Sequence, residues 1–113
     1  MTFNDVDAKI RGAIGGDAGA MSWVVAHADT IDNAVLIAMA ALLERLPGRL
    51  DRAVAVAATS RDRQVVAIAR AHLKDERELV DALVRDHLVD YPDSLIVAWI
   101  ASDAVGRARR TAP

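Results

Sequence analysis

Residues 61–93 read RDRQVVAIARAHLKDERELVDALVRDHLVDYPD, and this stretch decides the fold class. Apolar residues recur every three or four positions in both halves of it, which is the spacing of amphipathic α-helices. The apolar pattern pauses around Lys74, and Tyr91-Pro92 ends it because proline disfavours helix at the residue before it. The stretch therefore predicts two helices, 61–73 and 75–91, which a short turn folds into an antiparallel hairpin.

The same residues predict the ends and the inner faces of these two helices. Thr59-Ser60 can cap the first helix, and Asp75 with Glu78 has the spacing of a capping box at the start of the second. The residues expected to face inward on the first helix are Val65, Ile68, Ala69 and His72. Those expected to face inward on the second are Leu79, Val80, Leu83, Val84, His87 and Leu88. Both stripes predict helices that are buried along one side.

Toward the N-terminus, helical spacing continues between short turn signals. A first helix is predicted over Phe3 to Ile14, with Thr2 or Asn4 as its N-cap and Gly15-Gly16 as its end. A second is predicted from the N-cap Asp17 to Ala28. Its expected inner face consists of Met21, Val24, Val25 and Ala28.

Two further helices are predicted before residue 59. The third starts after Asp29 or Thr30 and ends before Pro47-Gly48, and nearly all of its residues from 35 to 43 are apolar. Such a helix should be surrounded by other helices. The fourth carries one apolar stripe, made of Leu50, Ala53, Val54 and Ala57.

A seventh helix is predicted from Asp93 or Ser94 to Gly106. Of the 113 residues 53% are hydrophobic and only 4% are aromatic, and no stretch alternates with the period of a strand. These features predict an all-α fold of about seven short helices arranged as antiparallel hairpins. We expect a single helical domain over residues 1–106, followed by a flexible basic tail over 107–113.

The layout resembles the tetratricopeptide family of helical repeats, mainly over residues 61–105. In this comparison 61–73 is helix A of a repeat, 75–91 is helix B, and Pro92 closes the unit. Ala71-His72-Leu73 and the stretch VDYPDSLIVAWIASD, residues 89–103, carry the likeness. Ile68 and Gln64 stand where the family usually has glycine and tryptophan. The resemblance implies a right-handed stack of hairpins, while a compact helical bundle is the alternative.

The resemblance also implies a concave face that takes a peptide or a partner helix. By repeat register, the residues that would line this face are Asp62, Val65, Ala69, His72, Ile96, Trp99 and Asp103. The apolar contacts around Trp99 would anchor the partner.

No residue pattern indicates a catalytic or metal site. The chain has no cysteine, and therefore no thiolate nucleophile or Cys-based metal site. His72 and His87 would lie at opposite ends of the predicted hairpin, too far apart to share one ion. Acid pairs such as Asp86 and Asp90 are explained by helix ends and solvation. We therefore expect a protein that is not an enzyme and has no cofactor.

Membrane insertion and nucleic-acid binding are not expected either. The longest apolar run, residues 34–43, is about half of what crosses a bilayer. The N-terminus has no signal-peptide pattern, so we expect a cytoplasmic protein. Two arginine groups exist, Arg45, Arg49 and Arg52 in the middle and Arg107, Arg109 and Arg110 in the tail. No aromatic residues lie among them to stack on bases.

The unbroken apolar run from Leu95 to Ala101 is the strongest functional signal. A helix that is apolar on every side needs a cover, either from the N-terminal helices or from another subunit. We predict a protein interaction or assembly module that forms a homodimer through this helix. The alternative is a small-molecule-binding helical bundle, or an accessory subunit of an enzyme. Its ligand would lie near Met21, Trp23, His27 and Met39.

Overall fold

The computed structural model of the chain describes residues 3–102 and, within them, the side chains from Asp5 onward. The α-helices are α1 Phe3–Ile14, α2 Ala18–His27, α3 Ala34–Glu44, α4 Leu50–Val56, α5 Ser60–Leu73 and α6 Arg77–Asp90. A 3₁₀ turn, Pro47–Arg49, precedes α4, and residues 95–102 are also helical. The described part of the chain contains no strand, so the predicted all-α class is confirmed. The predicted cap Thr2, the predicted helix end at Gly106 and the tail 107–113 lie outside the described residues.

Short polar side chains cap the N-termini of α2, α3 and α5. The carboxylate of Asp17 accepts from the backbone N–H of Ala20 at 3.2 Å, and Thr59 Oγ1 accepts from that of Asp62 at 3.0 Å. Both caps were predicted from the sequence, and both are confirmed. Asn4 lies inside α1 and therefore is not its N-cap.

The predicted start of the third helix is wrong. Asn33 caps α3 by accepting from the N–H of Leu36 at 3.0 Å, so the helix begins at Ala34 rather than after Asp29 or Thr30. The physical reason is that residues 28–32 are held as a turn. The N–H groups of Thr30 and Ile31 both donate back to the carbonyl oxygen of His27.

Three helices end in the same way, on a residue with left-handed backbone. These residues are Gly16 after α1, Arg45 after α3 and Asp75 after α5, with φ of 92°, 54° and 56°. After α5 the N–H of Glu76 donates to the carbonyl of Ala71, five residues earlier, which is the Schellman pattern. The predicted capping box of Asp75 and Glu78 is therefore wrong. Asp75 closes α5, and α6 begins two residues later at Arg77.

The core is built around α3. This helix contacts α1, α2, α4 and α5, and eight of its eleven residues are buried. The prediction that other helices surround it is confirmed. Small residues allow this close packing, since Ala38, Ala40 and Ala41 have no exposed surface.

The inner faces of α4, α5 and α6 follow the predicted stripes, with two exceptions. On α5 the four predicted residues are buried, and on α6 Val80, Val84 and His87 are buried. Val54 on α4 is 51% exposed and Leu79 on α6 is 45% exposed, so both were wrongly predicted to face inward. Leu50 and Ala53 are fully buried and define the inner face of the short helix α4. Val54 follows Ala53 directly, so its side chain points about 100° away from that of Ala53 around the helix axis and lies outside this face.

Candidate functional site

Most of the predicted partner-binding residues lie inside the core. Val65, Ala69 and Ile96 are 1%, 0% and 4% exposed, and His72 is 8% exposed. In the structure these four side chains therefore face the core, and their part in binding a partner stays a prediction. That side of α5 packs against α3, and the helical segment 95–102 turns Ile96 into the same core.

The other three predicted residues lie at the edges of this buried set or beyond the described part. Asp62 is partly exposed and lines a cleft at the start of α5. Trp99 is partly buried and borders a shallow depression of about 110 Å³. That depression is lined by Leu42, Arg45, His72, Leu73, Trp99 and Ile100. Asp103 lies outside the described residues.

The segment 95–102 has one buried face and one outward face. Ile96, Val97 and Ile100 are buried in the core. The outward side consists of Leu95, Ala98, Trp99 and Ser102, which we call the C-terminal face. Leu95 is 48% exposed, Ala98 and Ser102 are exposed, and Trp99 is partly exposed. No residue of this face is charged, so an apolar helix surface borders solvent.

A larger cleft, of about 710 Å³, lies at the other end of α5. We call it the interhelical cleft, because α1, the starts of α3 and α5, the residues after α4 and the start of 95–102 all contribute to it. Its lining residues are Val6, Asp7, Ile10, Arg11, Asp32, Asn33, Ala34, Val35, Val56, Ala58, Arg61, Asp62, Val65, Asp93, Ser94, Leu95 and Ile96. Three of the predicted partner-binding residues, Asp62, Val65 and Ile96, therefore line this cleft. The other lining residues were not assigned to any site from the sequence.

Three of the four carboxylates that line the interhelical cleft have an ion-pair partner. Asp7 pairs with Arg11 at 3.2 Å and Asp32 with Arg52 at 2.6 Å. Asp93 lies 3.6 Å from Arg61. Asp62 has no ion-pair partner within the described part of the chain.

Ser94 is a second polar group of the interhelical cleft with unused bonding capacity. It is 3% exposed, and its Oγ has no hydrogen-bond partner among residues 5–102. Its backbone carbonyl accepts the first bond of the helical segment, from the N–H of Ala98. A buried hydroxyl without a partner costs free energy.

Folding lowers the pKa of His87. It is 1% exposed, and its Nδ1–H donates to Oε1 of Gln64 at 2.8 Å. Burial lowers its pKa below the ordinary value of 6.5, Arg61 lowers the pKa further, and Asp90 raises it. The neutral ring packs beside Tyr91, with ring centroids 5.0 Å apart. Among the described residues no group of three or more potential ligands could hold a metal ion.

The alternative ligand site predicted near Met21, Trp23, His27 and Met39 does not coincide with the interhelical cleft. Met39 is fully buried in the core. Trp23 and His27 stack on each other at 4.2 Å, and Nζ of Lys9 lies 5.9 Å from the Trp23 ring. None of the four residues lines the interhelical cleft.

Two arginines of the middle basic group serve the fold. Arg52 donates to the backbone carbonyls of Ala28 and Ile31 and to the carboxylate of Asp32. Arg49 pairs with Asp29 at 2.9 Å and with Glu44 at 2.7 Å. Because their N–H groups are used in this way, Arg49 and Arg52 do not offer a free surface for phosphate.

Comparison of the chain with protein-family models, with curated proteins and with solved structures finds no match. The resemblance to tetratricopeptide repeats therefore stays a prediction. Within the described residues, no helix has the length and apolar character needed to cross a membrane.

Proposed function

We propose that the chain is a non-catalytic protein interaction or assembly module that forms a homodimer through its C-terminal face. The observation that carries this proposal is the exposure of Leu95, Ala98 and Trp99 on one uncharged side of a helix. Apolar patches that are not scattered singly over a surface are typical of interaction sites. Two-fold contacts are the commonest way for identical chains to cover such a patch.

The C-terminal face suits a pair of crossed helices. Around the helix, Leu95 lies between Ala98 on one side and Trp99 on the other, and the small side chain of Ala98 lets a second helix approach closely. In a two-fold pair, Leu95 and Trp99 of each copy then pack beside the Ala98 of the other. Trp99 is the expected hot spot, since large aromatic residues at the centre of an interface contribute most to binding.

The size of the C-terminal face sets the expected strength of the dimer. A helical segment of eight residues is about 12 Å long, whereas a stable interface buries about 800 Å² on each partner. The contact must therefore include residues beside Trp99, such as Arg45 and Leu73, which line the same depression. Even with these residues we expect an interface at the lower end of the range and a dimer that forms at micromolar concentration.

Ala98→Glu tests the homodimer with little effect on the fold. Ala98 is exposed and helical, so glutamate fits the monomer, but in a two-fold contact it brings two like charges together. At roughly several hundred micromolar protein, we expect light scattering to show a mass near that of two chains for the wild type and near that of one chain for Ala98→Glu. Ala82→Glu, the same change at an exposed position of α6, should stay dimeric. A dimer that persists in Ala98→Glu would mean that another surface makes the contact.

A second candidate function is ligand binding in the interhelical cleft. Its volume of about 710 Å³ lies within the range of roughly 300–1,000 Å³ that is usual for small-molecule sites. Eight of its seventeen lining residues are charged or polar, and such groups can orient a bound ligand. The two functions use different sides of the segment 95–102, although Leu95 borders both.

A further inference from the structure

We propose that the outer groove between α5 and α6 docks an amphipathic helix of a partner protein. This helix has an apolar stripe, an acidic edge that faces α5 and a basic edge that faces α6. We call the groove, which includes Ala67 of α5 and Leu83 of α6, the hairpin groove. It shares no lining residue with the interhelical cleft and none with the C-terminal face, so the inference goes beyond the homodimer.

The hairpin groove has an apolar floor that a partner can reach. Its volume is about 310 Å³ and its lining surface is mostly apolar. Ala67 and Ile68 of α5 and Leu83 of α6 form the floor. Ala67 is exposed and Leu83 is partly exposed, so solvent touches both. Leu79, which is 45% exposed, lies one turn before Leu83 on the same side of α6 and extends the apolar surface.

The uncharged polar residues of the groove do not change its apolar character. His87 and Gln64 also line it, but Nδ1–H of His87 donates to Oε1 of Gln64 at 2.8 Å. His87 is also only 1% exposed. A docked partner therefore meets hydrocarbon at the floor, and charged side chains only at the two rims.

The rim on α6 is acidic. Four residues of α6 at intervals of four, three and four positions share one side of the helix, namely Leu79, Leu83, Asp86 and Asp90. Asp86 lines the groove itself. Asp86 and Asp90 are exposed, and neither has an ion-pair partner within residues 5–102. This rim therefore attracts basic side chains.

The rim on α5 is basic. The same spacing recurs there, in Arg63, Ala67, Arg70 and Lys74. Arg70 pairs with Asp51 of α4 at 3.2 Å. Arg63 and Lys74 are exposed and have no ion-pair partner in the described part of the chain. This rim attracts acidic side chains, so a partner with one sign of charge on both edges is repelled by one of the rims.

The apolar floor also determines the backbone of the partner. An extended peptide on such a floor would leave N–H and C=O groups without partners, whereas a helix satisfies its own backbone groups. Two packed helices present a groove that accepts the side chains of a third, with anchors at i, i+4 and i+7. The stripe from Leu79 to Asp90 is about 17 Å long, which an α-helix of about 11 residues covers.

The test is an NMR titration of the ¹⁵N-labelled chain with two capped peptides of identical composition. The peptide LEAKLEKLEAKLEKL carries its glutamates on one edge of an apolar stripe and its lysines on the other. The control LEAKLKELEAKLKEL has the same stripe but mixes both charges on each edge. We expect the first peptide to shift the backbone signals of Ala67 and Leu83 and to bind about fivefold more tightly than the control, the scale of a few exposed ion pairs. Equal binding, or no shifts at the hairpin groove, would overturn the proposal.

Substitution of the floor identifies the docking surface. Ala67→Glu places a charged side chain in the groove at an exposed helical position, so the fold tolerates it while peptide binding should weaken at least tenfold. Ala8→Glu, the same change at an exposed position of α1, should bind within about twofold of the wild type. If both variants lose binding equally, the hairpin groove is not the docking surface.

Substitution of the acidic rim tests the charge pattern. Asp86→Arg should reduce binding of the first peptide about fivefold, to the level of the control peptide. Asp81→Arg makes the same change in net charge at an exposed position of α6 outside the groove and should have no effect. An equal loss in Asp81→Arg would mean that only the net charge is read, contrary to the proposal.

A second copy of the chain as the occupant would give a different result. In that case the signals of Ala67 and Leu83 would move when Ala98→Glu protein without peptide is diluted from about 500 to about 50 micromolar. We expect them to stay in place, and movement would overturn the assignment to a partner protein. Ala98→Glu should bind the first peptide as the wild type does, so that failure of the homodimer and failure of the hairpin groove are distinguishable.

Discussion

At the scale of single residues, His87 shows how the fold imposes a charge state. The ring is buried between α5 and α6, its Nδ1–H is bonded to Gln64, and its Nε2 has no partner in the described part of the chain. Protonation would place a positive charge in this site near the guanidinium of Arg61, and both effects lower the pKa. The imidazole is therefore neutral in the folded protein at neutral pH.

This shift predicts a specific loss of stability in acid. A histidine whose pKa is lowered by folding binds protons more readily in the unfolded chain, so its contribution to stability falls as the pH drops below about 6.5. In His87→Phe the ring volume is kept and the titration is removed. At pH 7.5 the variant should be about 1 kcal/mol less stable because the bond to Gln64 is lost.

Chemical denaturation at several pH values measures this effect. The difference in unfolding free energy between wild type and His87→Phe should narrow as the pH falls from 7.5 to 5. Every other ionisable group is present in both proteins, so its contribution cancels in the difference. A difference that stays constant over this pH range would contradict the lowered pKa.

Arg52 gives a second prediction at this scale. Its guanidinium bridges two backbone carbonyls of the turn between α2 and α3 and the carboxylate of Asp32. Lysine keeps the charge, but its single nitrogen cannot reproduce this planar arrangement. We expect Arg52→Lys to lower the unfolding free energy by about 1–3 kcal/mol. Arg85→Lys, at an exposed position of α6, should change it by less than about 0.5 kcal/mol.

At the scale of helices, a helix end could be predicted where the residues that fix it are its neighbours in the sequence. The bounds of α5 and the caps Asp17 and Thr59 follow from neighbouring residues, and the structure agrees with them. The start of α3 and the end of α5 at Asp75 do not follow from neighbouring residues. The turn before α3 is held by Arg52, more than twenty residues away in sequence, and left-handed backbone at an aspartate has no strong local signal.

The packing of α1 against α2 predicts that substitution by alanine has opposite effects on stability at Gly12 and at Gly19. A Cβ at Gly12 would lie 2.9 Å from the Cβ of Ala20, which cannot move without shifting the helix. We expect Gly12→Ala to lower the unfolding free energy by about 1 kcal/mol, because overpacking outweighs the gain in helix propensity. At Gly19 the nearest atom is 3.8 Å from the new Cβ, so Gly19→Ala should raise stability by about 0.5 kcal/mol. Thermal unfolding of both variants tests the pair, and stabilisation by Gly12→Ala would contradict the close contact.

At the scale of the whole molecule, sequence patterns identified apolar faces but not what covers them. The face of α5 with Val65 and Ala69 was assigned to a partner, whereas α3 of the same chain covers it. The interhelical cleft had no sequence signal, because its residues come from five parts of the chain. The apolar run of 95–101 forms a helix with one buried side, and only its outward side, with Ala98 and Leu95, is left for a partner.

The central claim is that this outward side joins two copies of the chain, and sedimentation equilibrium of the unaltered protein tests it most directly. The predicted interface is small, so association should depend on concentration. We predict a mass near that of one 12.1 kDa chain in the low micromolar range, rising toward twice that value at several hundred micromolar. A mass of 12.1 kDa at every concentration would contradict the homodimer, and the C-terminal face would then need a different protein as its partner.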